Sequence, residues 1–330
     1  MKATRLKIEY LNAPIGIDIV KPRFFWNCEG GEKQTSYQII CKRAGETIWD
    51  SGKVESASMT RIPYEGEPLR SRDVVTWAVK LWDEQENGGE FASSRFEIGL
   101  LGADDWKAEW ITGNYVVNPL NRYPVDCFRK CFDASDVVKA RLYITACGVY
   151  EAKLNGLRCG DFILAPGVTD YRKRIQYQTY DVTDLLKNGQ NQLTVQLADG
   201  WYRGSCGAWG LRNQYGTQTK LLAQLEITHQ DGSVQTIATD SSWDWSNDGP
   251  IRLADNKDGE FTQVNFQLAM GKKTTPLQQV EYICKEGLNE YKTTFAVFGF
   301  QSAAHLQRQV QDCPLQGDSH SFQQCSCDRA

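Results

Sequence analysis

Apolar and polar residues alternate in short runs through the first hundred positions of the chain. Successive apolar residues of a run would share one face of a strand, as in Tyr37, Ile39 and Cys41, and in Trp77, Val79 and Leu81. Turn-forming pairs such as Ala44-Gly45 separate the runs. About a hundred residues of short strands without a helical period predict a small sandwich of immunoglobulin or fibronectin type III character over residues 1–101.

The same alternation returns near Trp106 and continues to residue 260. It includes Leu142, Ile144 and Ala146, then Leu193, Val195 and Leu197, and then Leu221, Ala223, Leu225 and Ile227. Asn155-Gly156 and Asp231-Gly232 are signals of tight hairpins. The pattern predicts a second β-sandwich over residues 106–260, joined to the first by an ordered link around residues 102–110. The predicted fold class is therefore all-β.

Charge and hydropathy argue against two classes of partner. The formal net charge is −4 with both signs mixed along the chain, whereas a nucleic-acid partner would usually require a basic face. No apolar run approaches the roughly 18 residues that a membrane span needs. Charged residues stand at the N-terminus where a signal peptide would carry its apolar core, so the chain is expected to stay in the cytoplasm.

The chain has 11 cysteines, which is an odd number. Without a signal peptide, this number fits free thiols in a reducing compartment better than a disulfide framework. Cys41 and Cys147 fall within strand-like alternations, where cysteine behaves as a small hydrophobic residue. Cys325 and Cys327 form only a C-x-C near His320, which is not a zinc-binding spacing, so no zinc site is predicted.

One loop concentrates residue types that suit a sugar. The candidates for sugar binding lie in residues 200–216 and are Trp201, Tyr202, Arg203, Trp209, Arg212 and Asn213. Aromatic faces pack against the C–H faces of sugars, while arginine and asparagine form directional hydrogen bonds with hydroxyl groups. The alternative, which the residues leave equally open, is an ordered loop that packs on a neighbouring domain.

Strings of residues throughout both regions resemble the bacterial α-L-rhamnosidases of glycoside hydrolase family 78. In the first region and the link these strings are LNAPIGID, KPRFFW, QTSYQI, WDSGKV, IPYEGEPLRSRDVVTWAVKLWDE, FEIGLL and DWKAEWI. In the second region they are CFRKCF, ACGVYEAKLNGLRCGD, LAPGVTDYRKRIQYQTYDVTDLL, ADGWYRG and SNDGPIRLAD. The strings follow the family's order through both regions, which makes the resemblance specific.

The resemblance implies both a fold and a ligand. It implies a fibronectin type III-like N-terminal domain, followed by a jelly-roll-like sandwich of carbohydrate-binding type. In some members this second sandwich resembles carbohydrate-binding module family 67, which binds L-rhamnose with the help of calcium. A rhamnose-containing saccharide is then the expected partner. Calcium would need hard oxygen ligands, for which the candidates are Asp161, Asp170, Asp255 and Asp258.

No catalytic residue is predicted in this chain. The resemblance places the family's catalytic carboxylates in a later (α/α)6 barrel, where they protonate the leaving group and activate a water in an inverting hydrolysis. No stretch here has the helical periodicity of such a barrel, so we expect the non-catalytic portion of an α-L-rhamnosidase. The alternatives are a chain that is itself an α-L-rhamnosidase, and an accessory subunit of one. The barrel or a further β-domain would be its natural packing partner.

The sequence changes in character after Glu260. Residues 261–301 resemble the late part of a further β-domain of the family, as if two similar DGE stretches had been joined. Residues 302–330 resemble nothing in the family, and their Gln, Ser and Cys content predicts a disordered or out-of-frame tail. We expect an internal deletion followed by a changed reading frame, with a genuine short form carrying a new tail as the alternative.

Overall fold

The computed structural model of the protein describes residues 1–207, 209–263, 272–273, 275–276 and 297–300. Nearly every regular element among them is a β-strand, and the strands form mainly antiparallel sheets. The predicted all-β fold class is confirmed. Within these residues, no helix has the length and apolar character that crossing a membrane would require.

The first sandwich is built from two antiparallel sheets. Its strands are Lys2–Ile8 (β1), Arg23–Glu29 (β2), Ser36–Arg43 (β3), Glu46–Asp50 (β4), Val54–Glu55 (β5), Ile62–Pro63 (β6), Val74–Trp82 (β7) and Ala92–Glu97 (β8). One sheet has the order β4-β3-β7-β8 with β5 on β3, and the other has the order β1-β2-β6. The predicted alternation is confirmed, because Ile39, Cys41 and Val79 are buried in one core with Trp26 and Trp77.

The second sandwich also has two large sheets. Its strands are Ile111–Thr112 (β9), Asp126–Ala134 (β10), Val137–Cys147 (β11), Val149–Leu154 (β12), Leu157–Arg158 (β13), Ile175–Asp181 (β14), Gly189–Ala198 (β15), Lys220–His229 (β16), Val234–Ala238 (β17), Asp244–Ser246 (β18), Ile251–Asp255 (β19), Gly259–Thr262 (β20), Lys272–Lys273 (β21), Thr275–Pro276 (β22) and Val297–Phe300 (β23). One sheet has the order β13-β12-β15-β10-β18-β21, and the other has the order β22-β9-β16-β11-β14-β23 with β17 on β16. Strands β19 and β20 form a separate hairpin.

The core between these two sheets follows the predicted periodicity. The alternating apolar residues of β11, β15 and β16 are buried in one cluster. Both predicted hairpins are present, as the pairs β12-β13 and β16-β17. Asn155 and Gly156 both have positive φ, as a type I′ turn requires.

Three short helical turns interrupt the strands within the described residues. A 3₁₀ turn at Ala103–Asp105 lies in the link between the sandwiches, and a second lies at Thr183–Leu185. The third is an α-helical turn at Gly200–Arg203, directly after β15. Because Gly200 has φ +54 and an added Cβ would lie 2.6 Å from Val149 Cγ2, only glycine fits the start of this turn without strain.

The predicted remnant after residue 260 is described in part. Strand-forming sequence is present in it, because β20 extends into it and β21, β22 and β23 lie within it. Strand β23 pairs in parallel with β14, with Ile175 opposite Val297. The apolar candidate Ile283 and the predicted tail at residues 302–330 lie outside the described residues.

Strand register places several loops at one end of the second sandwich. Asp126 at the start of β10 pairs with Leu197 near the end of β15, and Cys147 at the end of β11 pairs with Lys220 at the start of β16. Only Gly148 separates β11 from β12, so both sheets share this end. The segments 113–125 and 199–219 therefore meet here, and together they are called the loop end.

The first sandwich covers part of the outer face of the β14-β11-β16 sheet. Tyr143 and Tyr177 on that face pack with Leu100 and Trp106. The Tyr177 hydroxyl accepts a hydrogen bond from the Leu100 amide at 2.6 Å and donates one to its carbonyl at 3.1 Å. A Cβ at Gly99 would lie 2.1 Å from the Tyr177 hydroxyl oxygen. The backbone of the first sandwich is thus in direct contact with a side chain of the second.

Ion pairs surround this contact. Arg141 donates to both oxygens of Glu97, at 2.9 and 2.7 Å, and both side chains are buried. Burial alone would raise the pKa of Glu97, but Arg141 outweighs it and holds that pKa below its ordinary value. Arg72 of the first sandwich forms an ion pair with Glu226 of the second at 2.7 Å, across the contact that is called the seam. Arg72 also binds Asp105 at 2.7 Å. Paired charges therefore add directional hydrogen bonds to the apolar contact between the sandwiches.

We expect Gly16→Ala to weaken the contact between the sandwiches more than its backbone strain alone explains. Gly16 has φ +74, and an added Cβ would lie 2.2 Å from Thr179 Oγ1 across the seam. Gly30→Ala is the matched control, because Gly30 has φ +73 but nothing lies within 4 Å of its added Cβ. Urea unfolding should show a loss of about 1 kcal/mol for the control and a further ~1–3 kcal/mol for Gly16→Ala. Equal losses would contradict the close contact.

Asp18→Asn should stabilise the protein at neutral pH. Burial raises the pKa of Asp18 to about 6 despite the attraction of Arg174. Because the folded protein binds this proton more tightly than the unfolded chain does, the carboxyl stabilises the fold fully at a pH below its ordinary pKa. That stabilisation is lost as pH rises through about 6. The variant should therefore be more stable by roughly 1–2 kcal/mol at pH 7.5, with the gain disappearing near pH 4. Thermal unfolding between about pH 4 and 7.5 measures this gain in stability, with exposed Asp133→Asn as the control. A gain that persists at about pH 4 would contradict the raised pKa of Asp18.

Candidate functional site

The loop end is organised around a buried ion pair between Asp199 and Arg203. Arg203 Nε donates to Asp199 Oδ1 at 2.7 Å, and Nη2 lies 2.6 Å from the same oxygen as an ion-pair contact. The two side chains are only 1% and 3% exposed. Both charges are therefore held away from water, and each would be costly to keep without the other.

Tyr115 and Tyr123 bring the 113–125 segment onto this ion pair. Arg203 Nη1 donates to the Tyr115 hydroxyl at 2.5 Å. The guanidinium carbon of Arg203 lies 5.2 Å from the centre of the Tyr123 ring, which is a cation–π distance. Tyr115 is stacked on Trp245, with ring centres 5.6 Å apart and planes 13° from parallel. One guanidinium thus joins the two segments of the loop end.

Asp126 completes the buried network behind Tyr115. Trp245 Nε1 donates to Asp126 Oδ1 at 3.0 Å, and the Thr219 hydroxyl donates to Oδ2. Burial raises the pKa of Asp126 against the attraction of Arg203. Burial, reinforced by Asp126, also raises the pKa of Tyr115 to about 12. Tyr115 therefore keeps its proton at neutral pH, and its oxygen is free to accept from Arg203.

Arg212 and Asn213 connect this network to the surface. Arg212 Nη2 lies 3.3 Å from Asp199 Oδ2, so Asp199 faces an arginine with each oxygen. Arg212 Nη1 donates to the Asn121 carbonyl at 3.2 Å. Asn213 has φ +60, and its Nδ2 donates to the Pro119 carbonyl at 3.0 Å. The polar head groups of both residues lie against the neighbouring segment.

Large apolar side chains are exposed around these polar groups. Trp209 is 88% exposed at the tip of a turn closed by a bridge between Cys206 and Leu211. Val116 is 95% exposed and Leu120 is 89% exposed on the facing segment. Leu120 lies between the two residues whose carbonyls accept bonds from Arg212 and Asn213. The loop end therefore presents apolar surface beside hydrogen-bonding groups.

The six sugar-binding candidates divide into buried and surface residues. Tyr202 is 2% exposed and packs against Tyr171 and Tyr215 on the outer face of the sheet. Arg203 lies in the buried network described above, and Trp201 packs half-buried against the same aromatic cluster as Tyr202. Trp209 is the exposed member, and Arg212 and Asn213 are half-buried. The alternative of an ordered packed loop therefore describes Tyr202 and Arg203, whereas Trp209 is left open to solvent.

The four calcium candidates do not form one ligand set. In the part of the chain that the structure describes, no three His, Cys, Asp or Glu side chains are grouped as a metal site would require. Asp170 accepts hydrogen bonds from Arg172, and Asp161 is exposed in the preceding turn.

Asp255 and Asp258 do lie together, but their oxygens are committed to the protein. Asp255 Oδ2 accepts from the Ser205 amide at 2.7 Å, and Oδ1 accepts from the Lys257 amide at 2.9 Å. Asp258 accepts from the Ser205 hydroxyl at 2.6 Å and is paired with Arg122. A guanidinium at this position opposes a cation, so these residues do not fit calcium.

The residues that build the network were not found from the sequence. Tyr115, Tyr123 and Asp126 precede the candidate loop by about eighty positions, and their contribution depends on strand register. The aromatic and amide-rich string NYVVNPLNRYP, between β9 and β10, was the available signal. It reads as an ordinary loop until its contact with residues 199–213 is known.

Two family models match the chain. One describes the N-terminal immunoglobulin domain of Rha78A-like proteins and matches residues 3–102. The other describes the N-terminal domain of α-L-rhamnosidases and matches residues 135–267.

Among curated proteins, an α-L-rhamnosidase of Formosa agariphila is 38% identical over 279 residues, which cover 77% of this chain and 29% of the relative. An α-L-rhamnosidase of Alteromonas sp. (strain LOR) is 36% identical, with 81% of this chain and 31% of the relative covered. The chain thus spans about a third of the length of the curated relatives it matches.

Solved structures show the same likeness. The native α-L-rhamnosidase of Aspergillus terreus has 34% identity and a TM-score of 0.76, covering 86% of this chain and 35% of that one. The Streptomyces avermitilis α-L-rhamnosidase, solved in complex with L-rhamnose, has 25% identity and a TM-score of 0.71, covering 84% of this chain and 45% of that one. The chain therefore belongs to glycoside hydrolase family 78 through its two sandwiches, which are the non-catalytic N-terminal domains of that family's α-L-rhamnosidases.

Proposed function

We propose that the loop end binds saccharides that carry L-rhamnose, as a non-catalytic binding surface of an α-L-rhamnosidase. The observation that carries this proposal is the exposed indole of Trp209, three and four positions before Arg212 and Asn213, whose head groups are held by Asp199 and the Pro119 carbonyl. An indole face packs against the C–H face of a pyranose ring. Guanidinium and amide groups then orient the ring through its hydroxyls.

The chemistry of the surface favours a 6-deoxy sugar. L-Rhamnose carries a methyl group where most hexoses carry a hydroxymethyl group, so one edge of the ring is apolar. Leu120 and Val116 have exposed apolar side chains on the segment that Arg212 contacts. These side chains would shelter such a methyl group from water. A sugar with a hydroxyl at that position would lose hydration there without gaining a partner.

The comparisons support L-rhamnose as the first sugar to test. The Streptomyces avermitilis relative, which shares the fold, was solved in complex with L-rhamnose. All the curated relatives described above are α-L-rhamnosidases. The proposed role of this surface is to hold a rhamnose-bearing glycan near a hydrolytic site, which in whole relatives would lie in the part of their chain beyond the match.

The described residues do not offer a pair of carboxyl groups suited to hydrolysis at this surface. Glycoside hydrolysis by the usual route uses one carboxyl to protonate the leaving group and another to activate water or attack the sugar. Asp199 is the carboxylate nearest to the candidate loop residues, but both of its oxygens face arginine side chains and the group is buried. A surface that holds ground state and transition state equally gives affinity without turnover.

We expect L-rhamnose to bind the protein and Trp209→Ala to weaken that binding by about tenfold or more, because the variant removes the stacking face. Isothermal titration calorimetry with L-rhamnose and L-mannose measures both affinity and the preference for the 6-deoxy sugar. Phe91→Ala is the matched control, since Phe91 is an exposed aromatic residue of the first sandwich. No heat of binding with either sugar, or equal loss in both variants, would contradict the proposal.

We also expect the purified chain not to hydrolyse p-nitrophenyl α-L-rhamnoside. The expected rate is that of the buffer, measured beside an active α-L-rhamnosidase as the positive control. Turnover that survives purification and disappears in Asp199→Asn or Glu260→Gln would show instead that a catalytic site lies within these sandwiches.

A further inference from the structure

We infer that Tyr115, Arg203 and Asp199 form a positioning network that holds the two segments of the loop end in one fixed arrangement before a ligand arrives. These three residues do not contact the ligand themselves. The inference takes its ligand from the proposed function above, but the ordering of the two segments can be measured without any ligand.

The network is continuous from the core to the surface. Starting at buried Asp126, it passes through the Tyr115 hydroxyl to Arg203, with heavy-atom distances of 3.5 and 2.5 Å. It continues from Arg203 to Asp199 at 2.7 Å and from Asp199 to Arg212 at 3.3 Å. The first link joins strand β10 to the 113–125 segment, and the second joins that segment to residues 199–219. The last two links lie within residues 199–219.

Stability alone does not explain buried charges at this position. Removing two charges from water is expensive, and apolar side chains of similar volume often serve a core equally well or better. Charged hydrogen bonds differ from apolar contacts in that they demand particular distances and directions. The Asp199–Arg203 pair therefore specifies one geometry, in which Tyr115 and Tyr123 can approach the guanidinium from the neighbouring segment.

That geometry reaches the surface residues. Asp199 presents its second oxygen to Arg212, and Arg212 in turn binds the Asn121 carbonyl. Asn213 binds the Pro119 carbonyl beside Leu120. A saccharide that stacks on Trp209 and bonds to Arg212 would then find its partners already placed, so that less ordering has to accompany binding.

Tyr115→Phe is the sharpest test of the network. It removes the one oxygen that accepts from Arg203 across the two segments and keeps the ring that stacks on Trp245. Tyr64→Phe is the matched control, because Tyr64 is a buried tyrosine whose hydroxyl donates to the Glu67 carbonyl in the first sandwich. Hydrogen–deuterium exchange of the free protein, read by mass spectrometry over residues 113–125 and 199–219, reports how firmly the segments are held.

We expect exchange in both segments to become at least about tenfold faster in Tyr115→Phe and to be unchanged in Tyr64→Phe, with the sheet strands protected in both. Arg203→Lys is the second variant: it keeps the charge but replaces the separate nitrogens that bind Asp199 and Tyr115 with a single ammonium nitrogen, and it should produce the same pattern. Unchanged exchange in the two segments of either folded variant would overturn the inference.

Binding measurements separate this inference from the proposed function. If L-rhamnose binds, its Kd should rise by roughly tenfold in Tyr115→Phe, in step with the faster exchange. Trp209→Ala should weaken binding without changing exchange outside its own turn. If the wild-type protein binds no sugar but Tyr115→Phe still loosens both segments, the proposed function fails and the positioning network stands. Weakened binding with unchanged exchange would overturn the network and leave the function intact.

Discussion

The sheet formed by β14, β11 and β16 has to be covered on both of its faces, and this requirement organises most of the molecule. Its inner face packs into the core of the second sandwich through residues such as Ile144 and Ala223. Its outer face carries Tyr143, Tyr177 and Cys147, which are also buried. Strands that are buried on both sides need a layer on each, as in parallel sheets covered by helices. Here the outer layer comes from two sources, the first sandwich and the loop after β15.

The division of that outer face explains why the two sandwiches belong together. The first sandwich covers the half around Tyr177, where glycine allows its backbone to approach the sheet closely. The loop after β15 covers the other half, where Tyr202 packs with Tyr171, Ile175 and Leu222. Because both layers rest on one sheet, the position of the first sandwich and the path of the candidate loop are set by the same support. The paired charges of Arg141 and Glu97 add direction to the apolar contact.

The loop end shows how the residues of one covering layer are divided between packing and solvent. Residues that face the sheet are buried against it, as Tyr202 is. Residues that face the neighbouring segment join the charged network through Arg203. What is left facing solvent is the turn that carries Trp209. The saccharide-binding role that we propose for this surface would require a rigid support of this kind.

The amino-acid sequence by itself determined the class of the fold and the inner faces of its strands. Alternation with a period of two is a local property, so Ile39, Val79 and Ile144 were predicted to be buried without knowledge of their partners. The family resemblance was equally available from the strings of residues, and the family models and relatives confirmed it. Only the tertiary structure decided which residues of the candidate loop remain on the surface. Tyr202 and Arg203 stand next to Trp201 in the same string, yet their burial depends on the outer face of a sheet and on Tyr115, 88 positions earlier in the chain. No local period carries that information, because a loop has no repeating geometry and its contacts are set by strand register and by the layer it covers.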